Sequence, residues 1–381
     1  MDFKRTIYND EHELFRDSFR AFLEKEVIPN QEEWEAEGMV PRDLWLKAGA
    51  QGYLVTIADE AYGGLGQKDF LFDAVMLEEL ARINDSGFFL PLHNTIVAPY
   101  LLDYGSEEQK QRIIPKTITG ETILAVAMTE PGTGSDLAGM KTTAVDKGDY
   151  WELNGQKTFI SNGILADLVV VAARTDPENP HAMGLFLVER DDPGFQRGKR
   201  LKKLGLHAQD TSELYFESVK VKKENILGHP MMGFKYLMEK LATERLSLAI
   251  SSVSGARAAL ETTINYVKER KAFGRPISSF QNTQFKLAEL KTEIEIGQVY
   301  VDRMLEASRD GKLTAEQACG GKFWTTDLLC KVADECLQLH GGYGYMTEYP
   351  ICKMYANARV GKIYAGSNEI MKSVVAKSMG L

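Results

Sequence analysis

Cysteine is scarce. Four occur in 381 residues, Cys319, Cys330, Cys336 and Cys352, with no CxxC pair and only six histidines in the whole chain. That usage argues against a zinc site and for reduced thiols in a cytoplasm-like compartment. Long apolar runs are missing too: LVVVAA at 168–173 is far short of the roughly 20 residues that span a bilayer. The opening stretch MDFKRTIYNDEHELF is charged from the start and lacks the apolar core of a secretory signal. A cytoplasmic protein is expected, or a mitochondrial-matrix one if this is a mature eukaryotic form. Positive charge is in deficit, 45 Lys and Arg against 54 Asp and Glu for a net −9, which argues against nucleic acid as the main partner. Local basic patches for anionic ligands remain open. There is no internal repeat and no low-complexity segment. No GxGxxG sits between a strand and a helix, so a Rossmann nicotinamide site is not expected.

What is present is an ordinary globular composition, 44% hydrophobic and 26% charged, over a length that calls for two or three domains. Residues 1–121 carry a helical rhythm. Phe15, Phe19, Phe22 and Leu23 share one face of EHELFRDSFRAFLEKEV, which Pro29 should end. From 122 to 229 the period shortens. TTAVDKGDYWELNGQKTFIS alternates around Lys147-Gly148 and Asn154-Gly155, pairs that read as hairpin turns. DLVVVAARTD, GLFLVER and SELYFESVKV read as further strands, so a sandwich or barrel is expected. From 230 to 381 long helical segments return, with connections short enough for a four-helix bundle.

One position in that last block breaks the pattern. Within LATERLSLAIS (241–251), Leu241 and Leu248 continue an apolar stripe from Leu237, and Glu244 interrupts it. An unpaired buried carboxylate is costly, so Glu244 is paired, faces a cavity, or has chemistry to do. Arg245 is adjacent, but neighbours along a helix point to different faces. Glycine-rich loops recur as well: AMTEPGTGSDLAG (127–139), QLHGGYGYMTEYP (338–350) and the small-residue turn in IYAGSNEIM (363–371). The first exposes backbone N–H groups beside the Thr129 and Ser135 hydroxyls, an arrangement suited to a ligand rich in acceptors. ERKAFG (269–274) sets Arg270 and Lys271 beside Phe273, a cation for phosphate next to a ring for stacking. Singly, each loop is a turn like many others.

In this order and over this domain grammar, AMTEPGTGSD, NGQKTFISNG, RKAFG, QLHGGYGYMTEYP and IYAGSNEIM resemble the acyl-CoA dehydrogenase family along essentially the whole chain. The resemblance implies an α+β multidomain fold, with an N-terminal α-helical domain, a central β-barrel and a C-terminal four-helix bundle. It implies FAD as cofactor, extended between barrel and bundle. A homotetramer, a dimer of dimers in which a neighbouring subunit completes the FAD site, is also implied. Carried over residue by residue, Met128, Thr129, Gly134 and Ser135 would meet flavin or substrate, and Phe159 and Ser161 would line the isoalloxazine. Arg270, Phe273 and Gln281, with Gln338, Leu339, His340, Gly341 and Gly342, would hold pyrophosphate and adenine across the subunit boundary. Ser367 and Glu369 fall in a further FAD-contacting stretch.

The reaction implied is α,β-dehydrogenation of an acyl-CoA thioester, with electrons passed to an electron-transfer flavoprotein. It needs a carboxylate base in a dry pocket and donors on the thioester oxygen. In most of that family the base is the Glu of a Tyr-Glu-Gly-Thr motif. Here the corresponding residues are Tyr364, Ala365, Gly366 and Ser367, and alanine cannot take a proton. The long-chain and isovaleryl branches place the base on a bundle helix just before an arginine, which is the pattern of Glu244-Arg245. Glu244 is therefore the expected base, and Ser135, Arg245, Ala365 and Gly366 are expected at the substrate. The residue at 365 would still offer its backbone N–H to the thioester oxygen. Glu369 is the alternative carboxylate. His93 is either a pocket wall or a satisfied core histidine. The rival readings are an acyl-CoA oxidase-like variant and an FAD-binding protein without dehydrogenase activity.

Overall fold

The first helix begins where its sequence caps it. Asn9 accepts from the His12 N–H while the His12 ring accepts from the Asn9 N–H, a capping box that opens α1 (Asp10–Phe22). The computed structural model describes residues 5–381. Phe19 and Phe22 are buried, and Phe15 meets Tyr53 and Phe72 edge-on. Pro29 does not stop the chain's helical course as expected. A π turn (Leu23–Val27) widens the backbone ahead of it, and Pro29 sits in a single 3-10 turn before α2 (Gln31–Glu37). The widening relieves the clash of the ring with the preceding turn and the loss of one N–H. Then come α3 (Arg42–Ala50), α4 (Leu71–Arg82), a π turn (Leu92–Val97) running into α5 (Ala98–Tyr104), and α6 (Glu107–Ile118).

The middle block is one eight-stranded sheet. Its strands are β1 (Leu124–Ala127), β2 (Thr143–Asp146), β3 (Tyr150–Ile160), β4 (Leu168–Arg174), β5 (Met183–Glu189), β6 (Phe195–Arg200), β7 (Ser212–Lys222) and β8 (Ile226–Leu227). The order is β6-β7-β3-β2-β4-β5-β8, and β1 pairs in parallel with β4. One set of its side chains, Trp151, Leu153, Leu214, Phe216 and Val219, shares one core with Val169 and Val171 of β4. The alternate residues Leu168, Val170 and Ala172 belong instead to the core of the N-terminal helices. This double burial explains why DLVVVAA reads as a continuous apolar run rather than an alternating one.

Lys147-Gly148 does form a hairpin turn, with the Lys147 N–H donating to the Tyr150 carbonyl at 2.9 Å and Gly148 at φ 89°. Asn154-Gly155 does not. It lies inside β3 at a register shift against β7, with Gly155 at φ 152°. A Cβ there would stand 2.4 Å from Thr142 Oγ1, so this glycine permits a bulge and a close approach instead of a turn.

The C-terminal block is α7 (Gly233–Glu269), a ribbon of β9 (Lys271–Ala272) and β10 (Arg275–Pro276), α8 (Gln281–Arg309), α9 (Ala315–His340), α10 (Pro350–Ala358) and α11 (Asn368–Ser378). The Glu244 stretch and AALETTINYVKER form one unbroken helix, α7, because no proline falls within it. α7, α8 and α9 pack mutually, and α11 lies on α9. Their core also takes in Leu71, Ala74 and Leu77 of α4. Arg5 helps tie the blocks together, pairing with Glu78 of α4 at 2.7 Å and Asp302 of α8 at 2.6 Å. Among the described residues all four cysteines are free, no cluster could hold a metal ion, and no helix is long and apolar enough to cross a membrane.

Candidate active site

A cavity of about 830 Å³ opens where the three blocks meet. α4 and the π turn at 92–97 wall one side with Leu77, Leu80, Leu92 and Ile96, and α7 walls another with Leu241, Glu244, Arg245 and Leu248. The loop after β1 brings Met128, Thr129, Gly134 and Ser135, the end of β3 brings Phe159 and Ser161, and the turn before α11 brings Ala365 and Gly366. Segments more than a hundred residues apart thus converge on one mostly apolar space, the usual setting of a small-molecule site.

Glu244 is 4% exposed. Its recorded hydrogen bond is with the Tyr100 hydroxyl, which donates to Oε1 at 3.5 Å. Burial pushes the carboxyl up from 4.5 to about 7, against the opposing pull of Arg245 and Tyr100. The ion pair with Arg245 that would make Glu244 merely structural is not formed among the described residues. Arg245 donates to Cys319 Sγ at 3.3 Å, and its buried Nε has no partner among the described residues. Of the three readings open for Glu244, a carboxylate facing a cavity is the one observed. Nothing in the sequence had singled out Tyr100, since a buried tyrosine in a helix reads as core.

The turn before α11 has an unusual backbone. Ala365 lies at φ 51° and Gly366 at φ 91°, two left-handed residues in succession. The Gly366 carbonyl accepts from Lys322 Nζ at 2.7 Å, and the same ammonium reaches Asn368 Oδ1 at 3.0 Å. Burial, aided by Arg245, lowers Lys322 to about 8. The N–H groups of Ala365 and Gly366 have no protein acceptor among the described residues, so both are free to donate to a ligand. Ser367 instead caps α11, accepting from the Ile370 N–H. Glu369 is exposed outside the cavity, where hydrogen bonds from its own backbone N–H and from Ser367 hold it below the usual carboxylate range.

The loop at 128–139 is pinned from beneath by a buried pair that no local sequence pattern joins. Lys157 of β3 is fully buried and donates to the Met128 carbonyl at 3.0 Å and to Glu130 Oε1 at 2.9 Å. Glu130 also accepts the N–H groups of Lys141 and Thr142. Burial would raise Glu130, but the Lys157 charge and these bonds outweigh it and leave its pKa lowered, while burial lowers Lys157 to about 8. A lysine at an inward strand position was the available signal. Above the pair, Phe159 is held at φ 59°, is 68% exposed and lines the cavity. A Cβ built at Gly132 or Gly134 would meet nothing, so the loop leaves open space over its backbone.

A second cavity collects Arg270, Gln338, Leu339, His340, Gly341 and Gly342 with Tyr266 and Tyr343. The Arg270 guanidinium lies 5.3 Å over the Tyr343 ring and pairs with no carboxylate among the described residues. Phe273 and Gln281 line neither cavity. Phe273 is 95% exposed and meets Phe280 edge-on. His93 is a satisfied core histidine: Nε2 contacts the Thr117 carbonyl at 3.0 Å and Nδ1 accepts from the Leu124 N–H at 3.2 Å. Burial holds it neutral, with a pKa of about 4.

Three family models match in succession: the acyl-CoA dehydrogenase N-terminal domain over residues 9–121, the middle domain over 125–219 and the C-terminal domain over 231–380. The long-chain specific acyl-CoA dehydrogenase of Rattus norvegicus mitochondria is 48% identical over 98% of this chain and 88% of its own. A crystal structure of acyl-CoA dehydrogenase from Geobacillus kaustophilus superposes with a TM-score of 0.97 at 50% identity, covering 99% of this chain and all of the other. A glutaryl-CoA dehydrogenase from Mycobacterium smegmatis, solved in complex with FADH2, superposes at 0.91 with 30% identity over 98% and 95% of the two chains.

Proposed function

The chain belongs to the acyl-CoA dehydrogenase family, and from that premise we propose that it converts long-chain or branched acyl-CoA thioesters to trans-2-enoyl-CoA, with Glu244 as the base. It is an FAD-dependent oxidoreductase. The residues present suit that cofactor: an exposed Phe159, open space over Gly134, Gly341 and Gly342, and an Arg270 guanidinium without a carboxylate partner among the described residues. Met128, Thr129, Phe159 and Ser161 would hold the flavin, and Arg270 with 338–342 its phosphates and adenine. Bound FAD supplies the acceptor for the hydride that leaves the β-carbon, and the electrons pass on to an electron-transfer flavoprotein.

The rest of the chemistry falls to the chain. Glu244 takes the proton from the α-carbon. Its pKa of about 7 places it where a base is both ionised near neutral pH and strong enough to act. The free N–H groups of Ala365 and Gly366 would donate to the thioester oxygen as negative charge builds there. Apolar side chains of α4, α7 and the π turn keep water from the base, which sustains its raised pKa. Phe273 and Gln281, which line neither cavity of their own subunit, would reach the FAD of a neighbour in a homotetramer.

The observation that carries this reading is a cavity-facing carboxylate, in no ion pair among the described residues, on the helix that lines the same cavity as Ala365 and Gly366. Anaerobic titration of the purified protein with acyl-CoAs of graded length tests it. A yellow protein with roughly one FAD per chain should bleach with long or branched thioesters. A stable, colourless protein that takes up no FAD, or a yellow one that no acyl-CoA bleaches, would end it. Fast reoxidation by air rather than by electron-transfer flavoprotein would mark an oxidase instead.

A further inference from the structure

Resting on the acyl-CoA reading above, we infer that Gly255, with Ser251 one turn before it, sets how long an alkyl tail the cavity accepts. Glu244, Leu248, Ser251 and Gly255 fall at steps of four, three and four along α7, one helix face, and all four line the cavity. Past Leu248 the side chains on that face shrink to a hydroxymethyl and then to nothing. Glycine in the interior of a 37-residue helix costs stability relative to alanine, so its presence calls for a reason.

Close packing is the usual one, and other helical glycines here show it. A Cβ at Gly297 would stand 2.9 Å from Trp324, and one at Gly321 would stand 2.2 Å from Met304 Sδ. At Gly255 the nearest atom to such a Cβ is Leu329 Cδ1 at 3.4 Å, an ordinary contact. Packing therefore does not require glycine at 255. What the glycine leaves is room at the last position along α7 that lines the cavity.

The depth can be estimated. Eleven residues separate Glu244 from Gly255, about 16 Å along the helix at a rise of about 1.5 Å per residue. An extended chain advances roughly 1.2 Å per bond, so this depth matches about 13 bonds beyond the α-carbon. A tail of about 14 to 16 carbons would reach Gly255, and one of eight would not. Ser251, seven residues from Glu244, stands about 10 Å away by the same rise.

The test is binding of octanoyl-, dodecanoyl- and hexadecanoyl-CoA by calorimetry to flavin-loaded protein in a Glu244→Gln background, so that no turnover intervenes. Keeping a methylene out of apolar surface weakens binding about fourfold. Gly255→Leu, which would displace about three methylenes, should weaken hexadecanoyl-CoA about 60-fold and leave octanoyl-CoA within twofold. Gly255→Ala should keep both affinities and raise the melting temperature. Ser251→Leu should move the cut-off down, so that dodecanoyl-CoA is lost as well. Equal weakening of all three ligands by Gly255→Leu, or no weakening of hexadecanoyl-CoA by either leucine variant, would overturn the inference. Failure of the base assignment would look different: Glu244→Gln would still bleach, whatever its chain-length profile.

Discussion

Replacing Glu244 with glutamine should make the protein more stable while disabling it, and the size of the gain follows from its environment. Burial raises the carboxyl from 4.5 to about 7. Between those values the folded protein holds a proton that the unfolded chain has released, so stability falls as pH rises through that window. The full penalty is reached at and above about pH 7. At 1.36 kcal/mol per pH unit it amounts to about 3 kcal/mol. Glutamine never ionises, keeps nearly the same shape, and still offers a carbonyl to the Tyr100 hydroxyl. Glu244→Gln and the parent should therefore melt alike near pH 4.5, and the variant should melt a few degrees higher at pH 8. The same variant should lose substrate-dependent bleaching by roughly 10²–10⁴-fold, the usual worth of a placed general base. Because a three-domain chain need not melt in two states, the quantity to read by calorimetry is the trend of the melting gap with pH. A gap that does not change between pH 5 and pH 8, or a variant less stable than the parent at pH 8, would refute the claim that Glu244 is ionised only at a cost.

Two further substitutions probe the same site. Tyr100→Phe removes the donor that favours the charged carboxylate, so the acid limb of the bleaching rate, expected near pH 7, should move up by as much as about one pH unit; a limb that stays or moves down would show that the 3.5 Å contact does not act on the base. Ala365→Glu in the Glu244→Gln background should recover part of the lost rate, chiefly with short unbranched acyl chains, because 365 borders the same cavity from the turn before α11. Ala365→Glu alone should not help, since two carboxylates facing one cavity raise each other's pKa, and parental activity in that single variant would count against the shared cavity.

Legibility differed from residue to residue. Glu244 stood out because helical periodicity forecasts an apolar side chain at its position, and a departure from a strong pattern is visible without any partner in view. Glu130 and Lys157 are as deeply buried, yet no local pattern marks them as a pair. Their partners lie 27 residues apart in sequence and meet only because β3 runs beneath the loop that follows β1. Asn154-Gly155 suits both a turn and a bulge, and only the register against β7 decides between them. Pro29 was expected to end a helix, and a π turn took up the strain instead, a choice made by the packing of Leu23 and Val27 into the core.

By itself the sequence determined the succession of a helical block, a sheet and a second helical block, because hydrophobic period is a local property that neighbouring residues carry between them. It also carries Tyr364-Ala365-Gly366-Ser367, a turn with no carboxylate to take a proton. Tertiary structure alone decided that Glu244 and the turn at 365–366 border one space, that Arg245 turns to Cys319 and leaves the carboxylate unpaired, and that burial lifts its pKa toward neutrality. The physical reason is that pKa, pairing and cavity depth depend on distances between segments far apart in the chain. Those distances exist only after α4, α7 and the sheet have packed, and no local pattern encodes them.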